Sequence, residues 1–382
     1  MQKIARAPLE RITIEGFKSF RNLKNFVFNP GLNILIGPNG AGKSNFIDFF
    51  RVMEQLSLRG LADYVGRYGR AETFFFQGTK TTRVINIEMV ILGMTYSFSL
   101  LPTVEGRVEV KGESLSGTRD DGSRIEGPRI GPNTNRPAES NLGSPTRVGG
   151  VVDSKIPERM ILDVIAGWRA YHFRDTSPFS PLRKEASIFN SGELFADGSN
   201  LPAVLWGLKA NRPQAYENIV LSMRQIMPVF DDFVLEPEQR DATQDRFVRL
   251  CWRERGSRYV YQPWQMSDGA LCSLALVTVL RQPDPPPTII IDEPELGLHP
   301  STLDFMVGLM HWASEKTQLI VATQSPDLLR TMEPENVIVV HQRNGETTFE
   351  RLEREPLSDW LKEYSLTELW LKNVIRTDPD HV

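Results

Sequence analysis

The chain has 382 residues, 40% of them hydrophobic, which suits one large domain with insertions or two modest domains around a sizeable core. A formal net charge of −4 gives no global basic signal, so contact with nucleic acid would need a local patch. The only cysteines, Cys251 and Cys272, form no CxxC pair, and the five histidines make no HExxH, which excludes a disulfide scaffold and a cysteine zinc site and fits a reducing cytosol.

The opening MQKIARAPLERIT lacks the apolar stretch of a signal peptide, and no run of about 18 apolar residues is present to span a bilayer. A cytoplasmic protein without membrane contact is expected. Residues 10–36 read as strands: RITIEGFKSF alternates, and NFVFNPGLNILIG is a β-rich run ending in glycine. SNFIDFFRVMEQLSL follows at helical spacing, with Phe46, Phe49, Phe50, Met53 and Leu56 on one face. Segments 82–91 and 94–101 read as a second antiparallel set. Residues 112–150 are rich in Gly, Pro, Ser, Asn and Arg and read as a flexible loop or weak strands. Residues 155–230 turn helical, and 232–262 alternate again. From 267 to 340 the order is helix, strand, helix, strand, which implies an α/β fold with a parallel sheet covered by helices. No sustained heptad run is present, so no long coiled coil is expected.

The strongest chemical signal is GPNGAGKS at 37–44, a GxxxxGK[ST] loop between a predicted strand and a predicted helix. Its glycines let the backbone curl so that N–H groups point at phosphate oxygens, and the helix start adds partial positive charge. Pro38, Asn39, Gly40, Ala41, Gly42, Lys43, Ser44 and Asn45 are therefore the candidate nucleotide-binding residues. Lys43 is expected on the β- and γ-phosphates and the Ser44 hydroxyl on Mg²⁺. PTIIIDEP at 287–294 is an apolar strand ending in two carboxylates. Asp292 is the candidate Mg²⁺ ligand and Glu293 the candidate base that polarises the attacking water, although such a pair alone also reads as a helix cap. In QMSDGALCSLALVTVL, Ser267 reads as a helix N-cap and Gly269 as a position where backbone approaches a ligand. With Asp268 these residues form a second candidate anion-binding helix start, suited to the other end of a nucleotide held by a second subunit.

Taken together, these segments resemble the RecF/SMC-related branch of ABC-type ATPases, which includes the ATPase halves of OLD-type phage-defence nucleases. The resemblance is carried by EGFKSFRN (15–22), GPNGAGKSNF, the LSGG-like Met266-Ser267-Asp268-Gly269, EPELGLHP (293–300) and VATQSPDLL (321–329). Within that branch the chain looks most like compact bacterial predicted AAA-family ATPases without a nuclease domain, which carry GWRAYHFRDTSP and LFADGSNL. The resemblance implies an ABC-type head, a mixed sheet flanked by helices, from residues 1–100 and 245–382, with a helical and irregular lobe inserted at 101–245. It implies ATP and Mg²⁺ as cofactors and a homodimer that sandwiches ATP between heads. Lys18 and Phe20 should lie near the adenine or ribose, and Gln77 is the candidate Q-loop ligand to Mg²⁺, although TFFFQG also reads as a plain edge strand and turn.

The switch position, commonly His, is Gln324, which keeps hydrogen bonding but carries no charge; part of the histidine's role is open to His299. No appended Toprim nuclease is expected, so the resemblance implies a nucleotide-driven switch or sensor in phage defence or DNA repair beside a separate effector, such as a Toprim-like or HNH nuclease, with DNA as a further partner. A RecF-like repair clamp and a scaffold with little hydrolysis are the alternatives. In GWRAYHFRDTSPFSPLRK (167–184), aromatic residues interleave with cations. Such a segment either stacks bases or packs with its arginines paired to carboxylates.

Overall fold

The computed structural model describes residues 7–118, 124–126, 157–239 and 245–375. In chain order its strands and α-helices are β1 (Leu9–Phe17), β2 (Phe20–Val27), β3 (Leu32–Ile36), α1 (Lys43–Ser57), α2 (Leu61–Arg67), β4 (Ile85–Ile91), β5 (Met94–Pro102), β6 (Val108–Thr118), β7 (Arg124–Glu126), α3 (Pro157–Ala166), β8 (Arg169–Tyr171), β9 (Ala186–Ser187), α4 (Leu201–Asn211), α5 (Pro213–Ile226), β10 (Phe230–Val234), β11 (Glu238–Gln239), β12 (Arg246–Val248), β13 (Cys251–Glu254), α6 (Asp268–Arg281), β14 (Thr288–Asp292), α7 (Pro300–Ser314), β15 (Gln318–Thr323), β16 (Val337–Arg343), β17 (Glu346–Arg351), α8 (Arg354–Leu357) and α9 (Leu366–Leu371). They group into two units. One holds Met1–Arg169, Pro286–Ile290 and Thr317–Val382; the other holds Ala170–Pro285 and Ile291–Lys316. One six-stranded sheet has the order β2-β1-β4-β5-β6-β7 and a second the order β17-β16-β3-β15-β14-β8.

In the first unit, β1 buries Leu9, Ile12, Ile14 and Phe17 and pairs antiparallel with β2 and β4. Strand β3 is buried at all five residues, as expected of a strand covered on both faces. It runs parallel to β15 (Ile36 opposite Thr323) and to β16 (Ile36 opposite Val339), while β17 pairs antiparallel with β16. Helix α1 buries the five residues of its predicted face, Phe46, Phe49, Phe50, Met53 and Leu56. Phe46 packs edge-on against Phe349 at 5.0 Å and stacks on Phe28 at 5.7 Å, and Phe50 meets Trp168 at 5.0 Å. These aromatic contacts seat the helix that opens at the phosphate loop. Gln318, fully buried, accepts from Leu9 N (3.0 Å) and Thr288 Oγ1 (3.1 Å) and donates to Leu9 O and Asn29 O (both 2.9 Å), so its amide is satisfied on both ends.

The head boundary expected near residue 100 falls inside β5, because the antiparallel sheet continues through β6 and β7. Within the predicted loop 112–150, residues through Thr118 therefore belong to β6 and Arg124–Glu126 to β7; residues 119–123 and 127–150 lie outside the described residues. Glu113 is buried there and accepts from the Tyr96 hydroxyl at 2.6 Å, so a polar sequence is held by ladder pairing and a charge-assisted bond.

The second unit centres on α6, buried from Ala270 to Leu280 and packed against α5 and α7. A helix apolar all round is a core helix. Within the predicted helical stretch 155–230, helix is broken at Arg212, where Pro213 opens α5 at a position that needs no N–H. Strands β10 and β13 form a ribbon with Phe233 opposite Trp252, whose ring stacks on Tyr261 at 4.4 Å.

Candidate phosphate, acidic and signature sites

In the first unit the phosphate loop leaves β3 and enters α1. Gly40 and Gly42 have φ of 81° and 106°, backbone that side chains rarely adopt. At Gly42 there is also no room: a Cβ would lie 2.0 Å from Thr347 Oγ1 and 2.9 Å from Ser19 Oγ. Thr347 Oγ1 sits 2.8 Å from both Ser19 Oγ and Ala41 O, and Asn45 Nδ2 donates to Ser19 Oγ at 2.8 Å, so the loop rests on a hydrogen-bonded floor. Lys43 is 5% exposed, and its ammonium donates to Gly37 O (2.7 Å) and Pro38 O (2.9 Å), which fixes the side chain along the loop. Pro38, Asn39, Gly40 and Ser44 are exposed, and Gly42 caps α1 without a side-chain cap, leaving first-turn amides to an anion. Gln324 directly follows β15; since Thr323 lies opposite Ile36, it leaves the same sheet edge as the loop.

Three predicted contact residues of this unit, Phe20, Lys18 and Gln77, lie as follows in the fold. Phe20 is fully buried, with Phe349 at 5.5 Å and Phe46 at 6.0 Å, so it is a core residue with no face for adenine or ribose. Lys18, at φ 48°, pairs its ammonium with Asp48, which also accepts from Arg51 Nη1 at 2.7 Å. Gln77 is exposed at φ 52° in the turn after the Phe17–Phe75 bridge, beside Gly345. That is the geometry of the edge-strand-and-turn reading.

In the second unit β14 ends in Asp292, 7% exposed, followed by Glu293, 9% exposed and at φ 51°. A buried non-glycine in left-handed backbone stores strain of about 1–3 kcal/mol, a feature that concentrates at functional sites. Two side chains of the 167–184 segment reach this pair. Arg174 bonds Glu293 and lies 4.0 Å from Asp292 Oδ2; His172 Nδ1 lies 3.3 Å from the same oxygen, within ion-pairing range but off a hydrogen-bond line. Asp292 Oδ1 is buried and accepts no hydrogen bond among the described residues. An orphaned carboxylate oxygen fits a divalent cation. Mg²⁺ takes one or two carboxylates and completes its shell with water and substrate phosphate.

The role of His172 and Arg174 was not legible from motif spacing. Its available signal is alternation: Tyr171 and Phe173 are buried, at 1% and 9% exposure, while His172 and Arg174 between them carry the polar atoms. For Trp168, Tyr171, Phe173, Arg174 and Arg183, the packed reading of this segment describes what is seen.

At α6, Ser267 is the N-cap and accepts from Ala270 N at 3.3 Å, as its position predicts. Asp268 pairs with Arg183 at 2.7 Å, and Arg183 also donates to Pro263 O (2.6 Å) and Met266 O (3.1 Å), so one buried guanidinium holds the turn before the helix. Gly269 has a different reason from the one expected. A Cβ there would lie 2.6 Å from Gly297 O, so close packing within the unit already requires glycine. His299 caps α7, accepting from Ser301 N through Nδ1 at 3.3 Å.

Cys272 on α6 donates its thiol to Phe173 O at 3.2 Å, and burial pushes its pKa up to about 11. The thiol stays neutral at physiological pH, so Cys272 should resist iodoacetamide at pH 8 in the folded protein and react once urea is added. Labelling without denaturant, read by peptide mass spectrometry, contradicts this. The folded pKa lies above the ordinary 9.0, so between those values the unfolded thiol loses its proton first and stability falls as pH rises.

Residues 168–330 match the family described as AAA domain, putative AbiEii toxin, Type IV TA system, and residues 11–86 match a second AAA domain family. Among curated proteins, the chromosome partition protein Smc of Desulfitobacterium hafniense (strain Y51) is 35% identical over 95 residues, 25% of this chain and 8% of that protein. Smc of Bacillus subtilis (strain 168) is 34% identical over 113 residues, 28% of this chain and 9% of that protein. The aligned stretch thus spans less than a tenth of these relatives' length. Among solved structures, an Smc head bound to the C-winged helix domain of ScpA superposes with a TM-score of 0.57 at 17% identity, covering 92% of this chain and 99% of that one. The Pyrococcus furiosus Smc head with an extended coiled coil, bound to the C-terminal domain of ScpA, gives 0.53 at 16%, covering 94% and 99%. No described helix is long and apolar enough to cross a membrane. Residues 11–86 and 168–330 thus each resemble an AAA domain, and the chain has the fold of an SMC head.

Proposed function

We propose that the protein is a nucleotide-dependent dimeric switch, in which two copies close over two ATP molecules and hydrolysis reopens them. The observation that carries this reading is the phosphate loop: left-handed Gly40 and Gly42, an uncapped helix start, and Lys43 laid along the loop carbonyls. In this reading Lys43 and the α1 amides bind the β- and γ-phosphates, Ser44 and Asp292 hold Mg²⁺, and Glu293 takes the proton from the attacking water. Bound Mg²⁺ supplies charge neutralisation of the phosphates. Gln324 orients water or the γ-phosphate by hydrogen bonding. The exposed Ser267 N-cap faces the nucleotide of the second copy, which makes each site incomplete in a monomer.

For the biological setting we propose phage defence or DNA repair together with a separate effector such as a nuclease. The description of the family matched by residues 168–330, a putative toxin of a toxin–antitoxin system, supports the defence setting, and the ScpA-bound Smc heads support the idea of a head read out by a partner protein. A second reading, a nucleotide-held scaffold with little turnover, is favoured by Arg174 on Glu293.

The reading is tested by equilibrium binding of a labelled ATP analogue to the wild-type chain and to Lys43→Ala. The expected loss is about tenfold or more in affinity, from removal of a charge-assisted phosphate contact. Equal affinity in the two proteins would remove the phosphate-loop assignment.

A further inference from the structure

Asp292 and Glu293 are adjacent buried carboxylates, each with a side chain 7% exposed, and buried like charges need a counter-charge. The chain itself supplies one. Arg174 contacts Glu293 and reaches Asp292 Oδ2 at 4.0 Å, while its own side chain is 46% exposed. The guanidinium thus enters from the solvent side and can withdraw into water. The backbone carrying it is independently fixed: Tyr171 and Phe173 are buried beside each other, and the Cys272 thiol holds Phe173 O from α6. His172 faces Oδ2 of Asp292, and Oδ1 accepts no hydrogen bond from the described residues. A divalent cation on Oδ1 would share its carboxylate with a guanidinium a few ångströms away, and the two positive charges repel.

We propose that Arg174 is a built-in counter-cation of the Asp292–Glu293 pair that competes with Mg²⁺, so that loading the metal–nucleotide complex displaces the guanidinium from the carboxylates. The inference rests on the reading of Asp292 as the metal-holding carboxylate. Arg174 is then a positioning residue: it holds Glu293 engaged when the metal is away and releases it when the metal arrives, linking water activation to nucleotide loading.

The test uses the full chain and a non-hydrolysable fluorescent ATP analogue, with Mg²⁺ titrated at fixed analogue and Mn²⁺ occupancy followed separately by electron paramagnetic resonance. Arg174→Ala should lower the half-saturating Mg²⁺ by about three- to tenfold, the range expected for removing a partly solvated like charge. Arg174→Lys, which keeps the charge, should stay near wild type. Should thermal melts show Arg174→Ala unfolded, Arg174→Gln carries the same expectation. An unchanged or higher Mg²⁺ midpoint in a folded, analogue-binding neutral variant overturns the counter-cation role and leaves the proposed function standing. Failure of the wild-type chain to bind the analogue at any Mg²⁺ concentration removes both.

Discussion

Glu293→Gln is expected to leave ATP binding intact and to slow hydrolysis by about 10²-fold or more, because the amide keeps the carboxylate's shape but does not accept a proton from water. The position is demanding: Glu293 is buried, sits at φ 51°, and is engaged by Arg174. Glutamine has the same backbone preferences and nearly the same volume, so the strained turn after β14 should survive. The exchange also removes one of the two carboxylates beside the Arg174 guanidinium and leaves Asp292 Oδ2 at 4.0 Å. The variant should therefore accumulate in the nucleotide-bound, dimeric form, visible by light scattering with ATP present. Turnover at the wild-type rate would place the base elsewhere, and loss of ATP-dependent dimerisation would show that Glu293 holds structure as well as chemistry.

What the sequence disclosed and what it hid divide by the range of the interactions involved. The curled backbone of the 37–44 loop was legible because its requirements are local: glycines at 40 and 42 adopt the left-handed backbone that a curled loop needs, and the apolar face of α1 repeats at helical spacing. The Ser267 cap was legible for the same reason, since the hydroxyl and the amide it serves are three residues apart. Phe20 was misread because its neighbour Phe349 arrives from β17, far along the chain, and turns an apparent ligand contact into core. Gly269 looked like a ligand position, but the atom that forbids a side chain is Gly297 O. Residues 112–118 looked like loop because composition weighs side chains. β6 is instead held by backbone pairing to β5 and by one buried bond from Tyr96 to Glu113. The engagement of the acidic pair by His172 and Arg174 joins segments more than a hundred residues apart; local alternation marks these two as the polar positions but does not name their partners.

Ser267→Arg is expected to abolish ATPase activity while the monomer still binds ATP. Within its own unit Ser267 is exposed and only caps α6, so an arginine there has room in the monomer and costs about 1 kcal/mol for the lost cap. In the proposed closed dimer the same arginine would be too large and would replace the hydroxyl offered to the nucleotide on the other copy. Mixing Ser267→Arg with Lys43→Ala subunits separates a composite site from one contained in a single chain. In the heterodimer the Lys43→Ala loop meets the Ser267→Arg helix, so both lesions fall on one interface, and the other joins an intact loop to an intact helix. Hydrolysis should return in purified heterodimers, with one nucleotide trapped per dimer when Glu293→Gln is added to both chains. If each site were built within one chain, both subunits would remain inactive whatever their partner. That result would overturn the trans arrangement. A Ser267→Arg homodimer that hydrolyses ATP at the wild-type rate would remove the α6 start from the site altogether.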